Sequence, residues 1–387
     1  MRIGIRLLLP LSLALAACGS LPRQPLVEAD AAIRAMIDTQ QMPGGALWIE
    51  QLDQGRYHRA YGLRALVPEP EPLDEATIFD AASLTKAVVT APLVQLLREQ
   101  GRLEVDAPLQ RYLPDCRGAG YERITLRHLL THSSGLPAGL PRLPVWSGAA
   151  GAIERACSQA LTAAPGAEFR YSDINYILLG EIVARVSGRP LQDFAREALF
   201  EPLGMADSGY LPLQRFAAAR IAPTQEVEID GRAQVLRGAV HDPSARRMGG
   251  VAGHAGLFTT TADLARFARM LLRQGVADDG RRLLAAESVA LMTTPQQPAG
   301  VEARRGMGWD IDTPFSRPRG LLYPRGASFG HTGFTGCAFW LDPGSRSFYV
   351  LLANRVHPGH PTNTLPLYQQ LGTLAARAAG LAAPLSR

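Results

Sequence analysis

Ser83 and Lys86 stand three residues apart in Ala81-Ala82-Ser83-Leu84-Thr85-Lys86, just ahead of the apolar run Ala87, Val88, Val89. Lys86 is the only lysine in the 387-residue chain; every other one of its 40 lysine-plus-arginine positions is arginine. Arginine holds its proton in proteins, whereas a buried lysine can release one, so a site that needs a neutral amine has to use lysine. On a helix an i, i+3 pair shares one face, which brings hydroxyl and amine together. Serine is a weak nucleophile until a base takes its proton, and a desolvated lysine is such a base. The plainer alternative is a surface lysine that happens to follow a serine.

Two further segments add groups to that pair. Phe169-Arg170-Tyr171-Ser172-Asp173 precedes an apolar helical run, Ile177 to Val186, and so places Tyr171 and Asp173 on the loop that opens it. Tyr171 could equally be a core tyrosine, and Asp173 could be the N-cap of that helix. Gly330-His331-Thr332-Gly333-Phe334 lies on a strand candidate whose glycines let a ligand backbone come close. His254, set between glycines, reads first as a structural histidine and second as a residue lining a substrate site. Two motifs are decoys. Gly326-Ala327-Ser328-Phe329-Gly330 matches a G-x-S-x-G elbow, but a strand rather than a helix follows Ser328. His128 and His132 have the i, i+4 spacing of zinc ligands, but Leu129 occupies the place of the expected glutamate. No metal and no cofactor is expected.

The elements that must position these groups follow from periodicity. Val27 to Gln40 reads as an amphipathic helix, and Ala46 to Leu52 with Arg56 to Gly62 as a β-hairpin turning at Asp53-Gln54-Gly55. A helix is expected from Ser83 to about Gln100; a serine there has its own N–H at the positive end of the helix dipole. Residues 102 to 250 are mostly helical in pattern, broken by glycine- and proline-rich loops at 114–120, 135–151 and 221–246. Asp263 to Gly275 is another helix. Strand candidates follow at Met307 to Ile311, Ser328 to Phe334, Cys337 to Leu341 and Ser347 to Asn354, with a last helix near Leu365 to Ala379. Strands at both ends with helices between imply an α+β fold. An antiparallel sheet is closed by the two termini and flanked by helices, a mainly helical lobe is inserted, and the site lies in the cleft between them.

The ends and totals bound the setting. Arg2 and Arg6 precede an apolar stretch from Leu7 to Ala17, too short to span a bilayer, which marks residues 1–17 as a signal peptide. Leu15-Ala16-Ala17-Cys18-Gly19 resembles a bacterial lipoprotein signal, in which Cys18 is lipidated and becomes the new N-terminus. An ordinary secretory signal cut near Ala17 is the alternative. Gly19 rather than aspartate after Cys18 resembles signals sorted to the outer membrane, giving a periplasmic-side lipoprotein. Two or more acyl chains would anchor it firmly. Residues 18–26 then form a tether and 27–385 the folded domain. Loss of Arg2 and Arg6 from a net charge of +5 leaves +3, with no basic stripe, so no nucleic-acid partner is expected. Besides Cys18 the cysteines are Cys116, Cys157 and Cys337, an odd number that allows one disulfide at most. A hydrophobic content of 47% over this length supports one large two-lobed domain or two domains.

The three chemical segments resemble the ordered motifs of penicillin-recognising serine hydrolases, the family of class C β-lactamases, D-alanyl-D-alanine carboxypeptidases and related esterases. Ser83-Leu84-Thr85-Lys86 is similar to the first motif, Tyr171-Ser172-Asp173 to the second and His331-Thr332-Gly333 to the third. Ile124 to Pro137 and Gly249 to Phe258 also resemble this family. The latter, with Val240-His241-Asp242-Pro243 and Asn354-Arg355-Val356-His357-Pro358, is most similar to its penicillin-binding protein 4B branch. The resemblance implies a β-lactamase/transpeptidase-like fold and acyl transfer. Ser83 attacks a carbonyl, Lys86 and Tyr171 share the proton traffic, and the Ser83 and Phe334 N–H groups face the oxyanion. His331 and Thr332 would bind a substrate carboxylate or orient the tyrosine. Which of Lys86 and Tyr171 is the base stays open.

Two departures shift the substrate expectation. Asp173 stands where the β-lactamases have asparagine, exchanging an amide donor for an acceptor. His331 stands in place of lysine, exchanging a permanent charge for one that titrates near neutrality. Both weaken the pull on a carboxylate, and so move weight from efficient β-lactam hydrolysis toward muropeptides and esters. The function expected is an exported serine hydrolase acting on peptidoglycan-derived peptides or related esters. The alternatives are a promiscuous carboxylesterase or weak β-lactamase, and a non-catalytic penicillin- or cell-wall-binding lipoprotein.

Overall fold

The computed structural model describes residues 20–229, 231–359 and 362–382; the stretch expected to be a signal peptide, 1–17, and Cys18 lie outside these. Its centre is one eight-stranded sheet of β1 (Gly44–Gln51), β2 (Gly55–Ala65), β3 (Glu71–Pro72), β4 (Arg304–Arg305), β5 (Asp310–Asp312), β6 (Phe329–Gly333), β7 (Cys337–Asp342) and β8 (Ser347–Ala353). The spatial order is β3-β2-β1-β8-β7-β6-β5-β4, and its ladders are antiparallel. The first strand therefore meets the last, with Leu47 opposite Leu351. This is the sheet closed by both ends of the chain that the sequence implied.

Every residue of β1, β7 and β8 is buried, because both faces are covered. The two-residue period sorts the side chains. Ala46, Trp48, Phe339, Leu341, Val350 and Leu352 pack toward the helical lobe. Leu47, Ile49, Trp340, Tyr349 and Leu351 pack toward the terminal helices α1 (Arg23–Asp38) and, at the far end of the chain, Leu365–Ala378. Each large aliphatic side chain so buried contributes about 1.5–3 kcal/mol.

Several boundaries differ from the sequence expectation. α1 begins at Arg23, so the stretch assigned to a tether, 18–26, gives its last four residues to the helix. Pro25 sits in the first turn, where no N–H is required, and its ring is buried. The expected helix from Ser83 begins at Leu84 and passes through a π-helical turn at Lys86–Thr90 before α2 (Ala91–Glu99). Pro92 has no N–H for the Val88 carbonyl, and the wider turn accommodates it. The strand expected at Met307 to Ile311 is displaced to β5. Gly306 and Gly308 bend the chain there so that Gly308 packs on Ala91, where a Cβ would come within 2.6 Å of the alanine methyl.

In the inserted lobe, α3 (Asp173–Ser187) is buried along most of its length, and α4 (Thr261–Leu272) backs the sheet. A helix at Ala286–Thr293 and a hairpin pairing Glu226–Ile229 with Arg232–Val235 were not legible in the sequence. Cys116 is disulfide-bonded to Cys157, and Cys337 is free and buried.

Candidate active site

Ser83 follows a turn fixed from behind. Asp80 is buried and accepts the N–H of Ala82 on one oxygen at 2.8 Å and that of His241 on the other at 2.7 Å. Burial pushes its carboxyl up to about 6. Ala82 has φ of 47°, a left-handed conformation that costs an L-residue on the order of 1–3 kcal/mol and is found at functional sites. The Lys86 ammonium is completely enclosed and donates to three acceptors. These are Ser83 Oγ at 3.0 Å, the His254 carbonyl at 3.0 Å and Asp173 Oδ1 at 2.7 Å. Burial by itself disfavours the charged amine, but Asp173 and Tyr171 outweigh it and hold the Lys86 pKa above its ordinary value. Lys86 is therefore a cation with no lone pair to offer, and its hydroxyl partner receives a proton donor rather than a base.

Asp173 is thus the counter-ion of Lys86. It is not the N-cap of α3, a position held by Ser172. A carboxylate in the first turn of α3 is favoured by the helix dipole. Tyr171 lies over His132, ring centroids 4.3 Å apart, and within 5.0 Å of Lys86 Nζ measured to its ring centre. His132 Nδ1 accepts the Ser172 N–H at 3.1 Å, which puts its hydrogen on Nε2, and burial drives its pKa well below the usual value. This neutral ring supports Tyr171 from below. His128 caps a short helix with Thr125, its Nδ1 accepting the Thr125 N–H at 3.1 Å.

His254 is buried and positions Lys86 through its carbonyl, while its Nε2 bonds Asp242 Oδ1 at 2.8 Å. Burial raises the Asp242 carboxyl, but His254 and the Ala245 N–H hold it well below the usual carboxylate range. The structural role expected first for His254 is the one observed; it does not line the cavities beside Ser83 described below. Asp173, Asp242 and His254 bring three ligand-type atoms within 4.8 Å of one another, and the cation held between Asp173 and the His254 backbone is Lys86.

The third segment lies on β6. His331 Nδ1 donates to the Thr332 carbonyl at 2.8 Å, which fixes the neutral tautomer with a lone pair on Nε2. Burial, followed by Arg305 and Lys86, drives its pKa well below 6.5. A His331 that titrates near neutrality to bind a carboxylate, as expected from the sequence, is overturned by this burial. The missing Cβ of Gly333 makes room for the Ala81 carbonyl, which a Cβ would approach to 2.5 Å. That glycine admits the nucleophile's own turn rather than a ligand backbone.

Two cavities meet at Ser83 and Phe334. One, of about 370 Å³, is lined by Tyr171, Arg305, Asp310, His331, Thr332 and Gly333 among others; the second, of about 410 Å³, includes His241, Asp242 and Arg246. Phe334 is 52% exposed, stacks on His241 and lies under the Arg355 guanidinium. Ser328, the decoy, is buried, donating to the Pro324 carbonyl and accepting from Trp340 Nε1. Arg305, Asp310 and Asp242 belong to the site but were not singled out from the sequence, and His132 was noticed only as half of a zinc-spaced pair. Asp242 and His132 lie within stretches that carried the family resemblance, whereas Arg305 and Asp310 had no such signal.

Comparison with known proteins agrees with this geometry. The family model described as Beta-lactamase matches residues 29–373. An Escherichia coli K12 protein named "Putative D-alanyl-D-alanine carboxypeptidase" is 30% identical over 91% of each chain. The Bacillus subtilis 168 "N-acetylmuramyl-L-alanine amidase" is 31% identical over 78% of this chain and 73% of its own. The structure of "EstCE1, a hydrolase with promiscuous acyltransferase activity" superposes with a TM-score of 0.71 at 20% identity, covering 91% of this chain and 98% of that one. With the fold, the enclosed lysine beside Ser83 and the match over most of its length, this chain belongs to the β-lactamase family of serine hydrolases.

Proposed function

We propose that the protein is an acyl-transfer hydrolase that works through a Ser83 acyl-enzyme on peptidoglycan-derived peptides ending in D-alanine, or on related esters. The observation that carries this reading is the threefold coordination of Lys86. Because the ammonium can only donate to Ser83 Oγ, the serine proton passes to Tyr171, which faces the same cavity and reacts in its phenolate form. Lys86 stabilises the negative charge exchanged between the two oxygens. The N–H groups of Ser83 and Phe334 serve the oxyanion, each worth about 3 kcal/mol in the transition state. Tyr171 then returns the proton to the leaving group, and water releases the acyl chain by the reverse sequence. The names of the curated relatives support a cell-wall substrate, and the leader with Cys18 supports work outside the cytoplasm on a lipid anchor.

The purified protein is to be incubated with a fluorescent penicillin, with p-nitrophenyl esters and with a muropeptide digest resolved by mass. Loss of one terminal alanine is expected, and Ser83→Ala should lower turnover at least ~10³-fold. No labelling, no turnover and an unchanged Ser83→Ala variant would sink the proposal. Cleavage at the sugar–peptide amide instead would move the activity toward that of the amidase relative. A second reading, a carboxylesterase for uncharged esters, is favoured by the neutral His331 alone.

A further inference from the structure

Asp80 is bonded to each segment that carries or supports the two N–H groups facing the oxyanion. Its side chain accepts the Ala82 N–H on Oδ1 at 2.8 Å and the His241 N–H on Oδ2 at 2.7 Å, while its backbone carbonyl accepts the Thr335 hydroxyl at 2.7 Å. Ala82 immediately precedes Ser83, and the first of these bonds holds it in its left-handed conformation. Thr335 immediately follows Phe334, and on the other side Gly333 packs against the Ala81 carbonyl. The Phe334 ring in turn stacks on His241, ring centroids 5.4 Å apart. Asp80 has a firm base of its own, since Phe79–Asp80 pairs with Phe258–Thr259 and the Ala81 N–H reaches the Leu257 carbonyl at 2.9 Å. Ser83 and Phe334, far apart in the sequence, are thus tied to one residue.

Both carboxylate oxygens are needed for this. An ionised carboxyl only accepts, and here each of its oxygens meets one N–H; a protonated carboxyl, or an amide, turns hydrogen toward one of the two donors. Burial raises the Asp80 carboxyl to about 6 against the pull of those N–H groups, so mild acid reaches the change of form. Asp242 opposes its ionisation and Arg246 favours it. The other titratable groups beside it stay uncharged at neutral pH. Burial lowers the pKa of His241 and pushes the Cys337 thiol, 3.7 Å from the Asp80 carbonyl, up to about 12. Displacing a group at the reacting centre by about 1 Å costs roughly 100-fold in rate, so a loosened clamp would be felt at once.

We propose that Asp80, in its ionised form, is the positioning residue that holds the Ser83 and Phe334 N–H groups at the spacing the oxyanion requires. This rests on the acyl-enzyme reading above and adds to it the group that assembles its oxyanion site. The full-length protein is to be assayed with p-nitrophenyl acetate and with phenylboronic acid, whose tetrahedral adduct with Ser83 places an oxygen where the oxyanion forms. At pH 7.5 Asp80→Asn should lower kcat/KM about 100-fold and weaken boronate binding by a similar factor. At pH 5 the parent's own carboxyl is mostly protonated, so its advantage over Asp80→Asn should shrink to about 10-fold. Three results would each overturn the assignment: a variant within about threefold of the parent at pH 7.5, a boronate affinity that holds within about threefold while kcat/KM falls, or an equal advantage at both pH values. A merely structural carboxyl would move neither the boronate nor the pH dependence. Should Asp80→Asn fail to fold, Thr335→Val decides. Loss of its bond to the Asp80 carbonyl should lower kcat/KM and boronate affinity together by about 10-fold, and a change within about threefold in both overturns the assignment. A parent that neither turns over the ester nor binds the boronate sinks the acyl-enzyme reading instead.

Discussion

Lys86→Arg keeps the positive charge and is expected to lower kcat more than ~10³-fold, measured with any substrate the parent turns over. Three acceptors surround the ammonium in a fully enclosed space, and a longer planar guanidinium cannot point at all three. An active arginine variant would overturn the role given to Lys86. Its solitary place in the sequence was thus a true signal with a different cause. Lysine is required for the shape of its donors, not because the site needs a neutral amine. The same burial alters the pH expectation. Lys86 titrates above its ordinary value and His331 well below its own 6.5, so neither is expected to change charge between pH 6.5 and 8. His331→Asn should therefore leave the shape of the kcat/KM profile unchanged over that range, and a lost inflection would restore a titrating role. Ser83 and Lys86 were legible because nucleophile chemistry restricts residue type and spacing, and Tyr171 through its resemblance to the family's second motif. Arg305 was not, because one arginine among so many has no mark until its burial is known.

The π-helical turn behind Ser83 has a counterpart in the lobe. Lys86–Thr90 is followed by Pro92, and Arg196–Phe200 is followed by Pro202, each proline two residues past the wide turn. A proline inside a helical pattern could therefore have been read as a widened turn rather than ignored, which is what the expectation of one regular helix from Ser83 to Gln100 missed. Helix ends were blurred for a related reason. α4 was expected to start at Asp263 but starts at Thr261, because Thr260 caps it by accepting the Asp263 N–H at 3.3 Å. Asp263 itself is buried, with one oxygen accepting from Asp207 N–H and Ser208 Oγ, each at 2.8 Å. Burial pushes its carboxyl up to about 6. The folded state then binds this proton more tightly than the unfolded chain, so stability falls as pH rises from near 4 to near 6 and is level above. The ionisation costs up to about 3 kcal/mol. Asp263→Asn, whose amide oxygen can keep both bonds, should gain stability relative to the parent at pH 7 compared with pH 4.5. Denaturant midpoints at the two pH values check this, and equal differences would contradict it.

The whole molecule is built around the pairing of chain ends, and that much was legible, since apolar strands clustered before residue 65 and after residue 305 in the sequence. The lobe between them was seen only as helical, because its packing depends on contacts distant in sequence. The Cys116–Cys157 bridge, separated by 41 residues, was left open among three cysteines. Replacing both cysteines by serine should lower stability by about 2–4 kcal/mol, measured by denaturant unfolding, and a change below 1 kcal/mol would show that the loop is held without it. The meeting of β1 with β8 has a consequence in time. Contacts between such distant segments form slowly, since a long loop must close before they are rewarded. Ser83 and Lys86 precede Phe334 and the strand β6 opposite them by most of the inserted lobe. The nucleophile's turn and the far wall of its cavity therefore come together only when these distant segments pair, so the site is assembled late in folding.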